Sequence, residues 1–258
     1  MRIAKKLSRL PELLPQLLQY LYFHKWVFGI TNTKFDISFT VFRESFLDDQ
    51  YGLRNFLKSI DGTSRVLFLD VGRNHGFVFF YFLFFMKKLG CSISRIDYIG
   101  IDPSPIKFAY FPQDLPHTEV TYRLIDKAVI FDQSPTVRLK YGEDNMGNFN
   151  VSGSNFEKKM ERVAARRRFI EIEVDTLPVD QLMNILRDAE DYSAIIVKID
   201  CKNRTEQIME KTLDILEPMA LSWHVACERD GSSEGRLGDR TTKRAGVLLA
   251  SRLADQRP

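Results

Sequence analysis

Residues Val66–Phe80 read VLFLDVGRNHGFVFF. An apolar run ends in Asp70, Gly72 and Gly76 stand four positions apart, and a second dense apolar run starts at Phe77. A short, nearly continuous apolar run bounded by turn residues reads as a buried strand. The longer run GFVFFYFLFFMKKLG, closed by Gly90, reads as a buried helix with a glycine at its C-terminal end. Strand, glycine-bearing turn and helix, in that order, predict the first βα unit of an α/β sheet.

The pattern continues downstream. RIDYIGID is a predicted strand, and PSPIKFAYF opens a short helix. TYRLIDKAVIF, TVRLKY and FIEIEVDTL read as strands, and PVDQLMNILRDAE as a helix with Leu182, Ile185 and Leu186 at helical spacing. YSAIIVKID is a strand, RTEQIMEKTLDIL a helix, and MALSWHVACE a strand. The expected fold is therefore α/β: a Rossmann-like, doubly wound, mostly parallel sheet with helices on both faces. GEDNMGNFNVSGSNF reads as a loop, and the charged segment after it as helical at first. Upstream, FDISFTVF reads as a short strand. Three regions result: an N-terminal helical extension over 1–61, a main domain over 62–228, and a divergent tail over 229–258. The tail is polar and weakly patterned, a composition that favours partial disorder. AGVLLASRL is its one apolar patch, and no closing strand hairpin is expected there.

Composition bounds the function loosely. The chain has 258 residues, is 44% hydrophobic and carries a net charge of +3, enough for one large core with no demand for an anionic partner. The basic run Lys158–Arg168 is compatible with an acidic glycan acceptor, whereas no nucleic-acid motif accompanies it. Cys91, Cys201 and Cys227 are widely spaced, with no zinc-type Cys/His pairing, so a reduced cytoplasmic setting and no metal site are expected. The N-terminus has a basic start and an apolar stretch interrupted by Pro11, Glu12 and Pro15. It reads as an amphipathic helix suited to peripheral contact with an anionic membrane surface, rather than as a signal peptide. Phe77–Met86 is far shorter than the roughly 20 residues a membrane span needs.

The turn after Asp70 carries the chemistry. In a doubly wound sheet, ligands sit at the carboxyl ends of strands beside helix N-termini. Gly72 allows close approach to the backbone, and Gly76 allows close packing of the helix start. A dinucleotide loop calls for G-x-G-x-x-G, but Asn74 occupies the second glycine position, which disfavours a pyrophosphate and hence NAD. A ligand with an amino-acid end fits better, with Asp70 meeting its ammonium. Asp102 ends the next strand, where an acid accepts hydrogen bonds from ribose hydroxyls, and Asp126 follows on the third strand, in reach of an adenine amino group. Together, Asp70, Gly72, Asn74, Gly76, Asp102 and Asp126 suit S-adenosyl-L-methionine.

The motifs FLDVGRNHGF, YIGIDPSP, LIDKAVIFDQSPTVRL, FIEIEVDTLPVDQL and AIIVKID, in this order, resemble the FkbM-type methyltransferases over about Val66–Leu221. That family's pattern is D-x-G-x-N-x-G, an acid followed by Pro, A-x-x-D-x-x-G-T-V, T-L-D and K-I-D-x-E-G-x-E. The resemblance implies a class I methyltransferase fold and S-adenosylmethionine-dependent O-methylation of a sugar, glycan or secondary metabolite. The sequence departs from the pattern after Asp200, where E-G-x-E reads Lys202, Asn203, Arg204, Thr205.

A hydroxyl acceptor calls for a base and for near-attack positioning. Asp200 is the first candidate. Lys198, two residues earlier on the same strand face, can polarise an acceptor oxygen or pair with Asp200. His224 is the second candidate base. Two other readings stand beside this one: a non-catalytic binding module on the same fold, and an NAD-dependent oxidoreductase.

Overall fold

The computed structural model describes residues 10–31, 39–60, 62–63, 65–73, 76–103, 117–142, 148–150, 169–201, 205–228, 242–244 and 247–252. Its strands are β1 Arg65–Val71, β2 Arg95–Ile101, β3 Glu119–Ile125, β4 Ala128–Ile130, β5 Thr136–Gly142, β6 Asn148–Asn150, β7 Phe169–Pro178, β8 Ala194–Ile199, β9 Ser222–Glu228, β10 Thr242–Arg244 and β11 Val247–Arg252. The helices are α1 Leu10–Thr31, α2 Phe39–Phe42, α3 Leu53–Ser59, α4 Phe77–Leu89, α5 Val179–Arg187 and α6 Thr205–Leu216. A turn of π-helix, Arg43–Leu47, continues α2.

Seven strands form one sheet in the order β10-β11-β9-β8-β1-β2-β3. From β3 to β9 every pairing is parallel, as βα connections require. The strands β1, β8 and β9 are buried on both faces, which explains their unbroken apolar runs. On one face, Leu67, Leu69, Val197 and Val225 meet the apolar stripes of α5 and α6. On the other, Val66, Phe68, Ile196 and Tyr98 meet α4 and the N-terminal helices.

The dense aromatic run of α4 follows from its position between two layers. Phe79 and Phe82 face the sheet, each with its ring centroid within 5.3 Å of Phe68. Phe84 and Phe85 face outward against Phe23 and Phe46, at 5.2 and 4.6 Å. An all-round apolar helix has to be covered on all sides, and the N-terminal region 10–60 supplies the second cover.

Four expectations change. Phe35–Phe42 was expected as a strand, but Phe39–Phe42 is helical and 32–38 lie outside the described residues. Phe39 and Phe42 both pack edge-on to Tyr20, and this tertiary contact overrides their β propensity. TYRLIDKAVIF is not one strand. It breaks at Asp126–Lys127, and β4 departs into a second sheet of order β4-β7-β5-β6. The loop after Gly142 contains the short β6, which pairs with β5. The tail does supply a hairpin: β11 runs antiparallel to β9, and β10 pairs with β11, covering what would be an open edge of β9. Short strands at a sheet edge carry little sequence signal because the pairing itself stabilises them. The expected helix after Pro103 and the basic run Lys158–Arg168 lie outside the described residues.

At the amino ends of the strands, Asp97 ties the sheet together. It accepts hydrogen bonds from Arg65 (2.8 Å), Arg95 (3.0 Å) and Tyr192 (2.8 Å) as well as from Thr121. Burial works against its charge, yet these donors hold the carboxyl down at about 2. It lies away from the carboxyl ends of the strands and is a structural acid.

Candidate functional site

The connections run outward from β1 to β2 and β3, then return to β8 and β9 on the other side. The switch therefore falls between β1 and β8, and a crevice at the carboxyl ends of these two strands is where an open α/β sheet binds ligands. Register places Asp70 beside Lys198 on one side and Gly100 on the other.

Asp70 is 0% exposed. Its Oδ2 accepts a hydrogen bond from Tyr98 Oη at 2.9 Å, and its Oδ1 lies 3.1 Å from Lys198 Nζ. Lys198 also donates to the Gly72 carbonyl at 2.5 Å and lies 3.7 Å from Asp200. Burial disfavours the ammonium, but Asp70 and then Asp200 more than offset it, so Lys198 stays charged. The alternation of side chains along β8 does put Lys198 and Asp200 together. Asp70 is spoken for by Lys198 and Tyr98, which removes it from direct contact with a ligand ammonium.

Gly72 has φ of +72°, and a Cβ there would fall 2.0 Å from the Asp200 carbonyl oxygen. The approach of the Asp200 backbone is by itself enough to require glycine there. The amides of Gly72 and Arg73 both donate to the Ile101 carbonyl, at 2.8 and 3.1 Å. These two N–H groups are thus used inside the protein. Gly76 starts α4, with its amide on the Arg73 carbonyl at 2.7 Å. Asn74 lies outside the described residues.

Asp102 is buried at the end of β2, and its amide donates to Ile125 O at 3.1 Å. Asp126, more exposed, has Arg73 Nη2 at 3.6 Å. The buried Arg73 side chain crosses over Gly100, where a Cβ would come 2.5 Å from Arg73 Cδ. Gly100 is therefore the space Arg73 needs. Asp200, with 29% of its side chain exposed, is the acid of the Asp70–Lys198–Asp200 group that opens to solvent. Cys201 follows it, with burial and then Asp200 pushing its thiol up to about 12, too high for a nucleophile.

His224 stands apart from this group. It pairs with Ile196 in mid-strand, stacks on Phe56 at 5.2 Å, and places Nε2 2.7 Å from the Tyr51 carbonyl. A carbonyl only accepts, so Nε2 carries the proton. Burial lowers its pKa from 6.5 to about 4, with the bond to Tyr51 opposing. It is a neutral core histidine, and its location withdraws it from the candidate bases. Because the unfolded state binds the proton first, its stabilisation is complete above pH 6.5 and is lost as pH falls toward 4. Comparing urea unfolding at neutrality and at pH about 4, wild type should lose about 3 kcal/mol more than His224→Gln. Equal losses would show that His224 titrates normally.

Sequence reading missed Tyr98, Arg73 and Tyr51. Tyr98 was accessible by alternation, two residues before Gly100 on the face shared with Asp70. Arg73 lay in the quoted turn without any motif to mark it. Tyr51 comes from the N-terminal region and reaches the sheet only through folding.

Among the described residues, no group of three or more His, Cys, Asp or Glu is arranged to hold a metal ion. The chain is a mixed α/β protein with a mostly parallel sheet flanked by helices, compatible with a Rossmann-like fold. No protein-family model matches it, and no curated protein matches its sequence.

Proposed function

We propose that the protein is an S-adenosylmethionine-dependent O-methyltransferase of class I fold, acting on a hydroxyl of a sugar, glycan or secondary metabolite. The observation that carries this reading is the placement of two acids around the β1 turn at the switch point of the sheet. Asp102 follows Ile101, whose carbonyl accepts the turn's amides, and the Asp200 backbone abuts Gly72. The antiparallel hairpin that completes the sheet beyond β9 supports the class, since methyltransferase sheets usually end in one. The choice of methyl donor and of acceptor rests on the resemblance to the FkbM-type family.

The residues fit the cofactor in part. Asp102 is a buried carboxylate at the strand end, the chemistry that accepts two ribose hydroxyls. Asp70 is withdrawn by its ion pair, and Asp126 has Arg73 beside it, so neither carries the binding alone. When bound, S-adenosylmethionine supplies an activated methyl group. The chain's own task is to orient the acceptor hydroxyl and remove its proton. Asp200 is the acid placed for that. Lys198, engaged by Gly72, Asp70 and Asp200, is a positioning residue that holds the β1 turn against β8.

A calorimetric titration with S-adenosylmethionine and S-adenosylhomocysteine tests the crevice, and a panel of hydroxylated acceptors tests turnover. Asp102→Ala should weaken cofactor binding by about 1–3 kcal/mol, the value of charge-assisted hydrogen bonds. Asp200→Asn should cut methyl transfer while cofactor affinity holds. Unchanged affinity in the first variant would remove Asp102 from the ribose, and surviving turnover in the second would make Asp200 structural.

A second reading, a non-catalytic binding module, draws on the internal pairing of Asp70 with Lys198 and on the departure from E-G-x-E after Asp200. Cofactor binding without product across the acceptor panel would select it. Absorbance titration with NADH tests the remaining oxidoreductase reading.

A further inference from the structure

Helix α1 is apolar on two sides, and the fold covers one of them. Phe23 and Val27 are buried against the aromatic layer, with Tyr20 and Trp26 packed beside them. On the other side Leu14, Leu17, Leu18, Leu21, Tyr22 and Phe28 remain exposed, Leu18 by 59% and Leu21 by 61%. Leu14, Leu18, Leu21, Lys25 and Phe28 recur at spacings of three and four, so they form one stripe along the helix. An exposed cluster of large apolar side chains such as this one, with a lysine set among them, marks an interaction site.

The surrounding charge indicates the partner. Lys25 lies on the stripe, and Lys87 and Lys88 of α4 border it, all three exposed. Lys87 Nζ lies 5.9 Å from the Tyr22 ring and 5.7 Å from the Trp26 ring, and Lys88 bonds Gln19 at 3.2 Å. In sequence, Arg2, Lys5, Lys6 and Arg9 precede the helix, and Glu12 is the one acid before Asp36. A symmetric contact between two copies would bring these cations against one another. An anionic bilayer meets both features at once, taking up the leucines and attracting the lysines. No helix among the described residues is long and apolar enough to cross a membrane, so the contact lies in the plane of the interface.

We propose that the exposed face of α1 docks on an anionic lipid surface. The test is flotation of the full chain with vesicles of phosphatidylcholine alone and of phosphatidylcholine mixed with phosphatidylserine, at low and high salt. The expected result is binding to the phosphatidylserine vesicles, weaker binding to the neutral ones, and loss of this preference in high salt. Leu18→Glu/Leu21→Glu should reduce the partition coefficient at least about tenfold. Its thermal unfolding should stay unchanged, because both side chains are exposed. Lys87→Gln/Lys88→Gln should reduce binding to the anionic vesicles about tenfold and leave binding to neutral ones alone. No binding of the wild-type chain to phosphatidylserine vesicles would overturn the proposal, as would binding indifferent to both variants. A wild-type dimer in sedimentation that Leu18→Glu/Leu21→Glu dissociates, without vesicle binding, would overturn it in favour of a second copy of the chain.

Discussion

Gly72→Ala is expected to cost more than about 4 kcal/mol of folding stability, enough to unfold much of the protein. Two effects add. The backbone at +72° strains any residue with a side chain, at about 1–2 kcal/mol. The new methyl would also sit 2.0 Å from Asp200 O and 2.6 Å from its carbonyl carbon, backbone atoms just after β8 that cannot rotate away. Gly90→Ala separates the two effects. Gly90 has nearly the same φ, +69°, but nothing lies within 4 Å of an added Cβ, so strain alone should appear. Urea unfolding of both variants checks this. Similar losses in the two would mean that β1 and β8 are farther apart at this point than the geometry requires.

The second large effect is expected at Lys198. Lys198→Met removes the cation from a site where Asp70 is fully buried, leaving a carboxylate with Tyr98 as its remaining close donor among the described residues. Removing one partner of a buried pair costs about 3–5 kcal/mol, chiefly through the charge left behind. The Gly72 carbonyl loses its donor as well. The double variant Asp70→Asn/Lys198→Met removes the stranded charge and should regain at least about 1 kcal/mol over the single variant. Stability of the single variant equal to wild type would mean that Asp70 is not held by Lys198. Losses that simply add in the double variant would mean that the two do not interact.

The strands of the sheet's parallel part were legible in local pattern alone. The apolar runs ending at Asp70, Asp102 and Asp200 are long and bounded by turns, and burial on both faces leaves that signature wherever the chain is read. The same alternation foretold that Lys198 and Asp200 share a side. What these groups face depends on the assembled sheet. Asp70 stands in sequence where a ligand contact is expected, yet strand register hands it to Lys198 and Tyr98, residues far away along the chain. Gly72 is a glycine in either reading, and its close approach to Asp200 can be seen only once β1 lies beside β8. His224 was placed near a strand end by position, and packing against Phe56 and Tyr51 turned it into part of the core. The helical Phe39–Phe42 and the β10–β11 hairpin were equally hidden, because each is stabilised by contacts with distant segments rather than by its own residues. Local pattern reports which surfaces are buried; which partner buries them depends on register and chain crossing, and these are settled only when the whole sheet assembles.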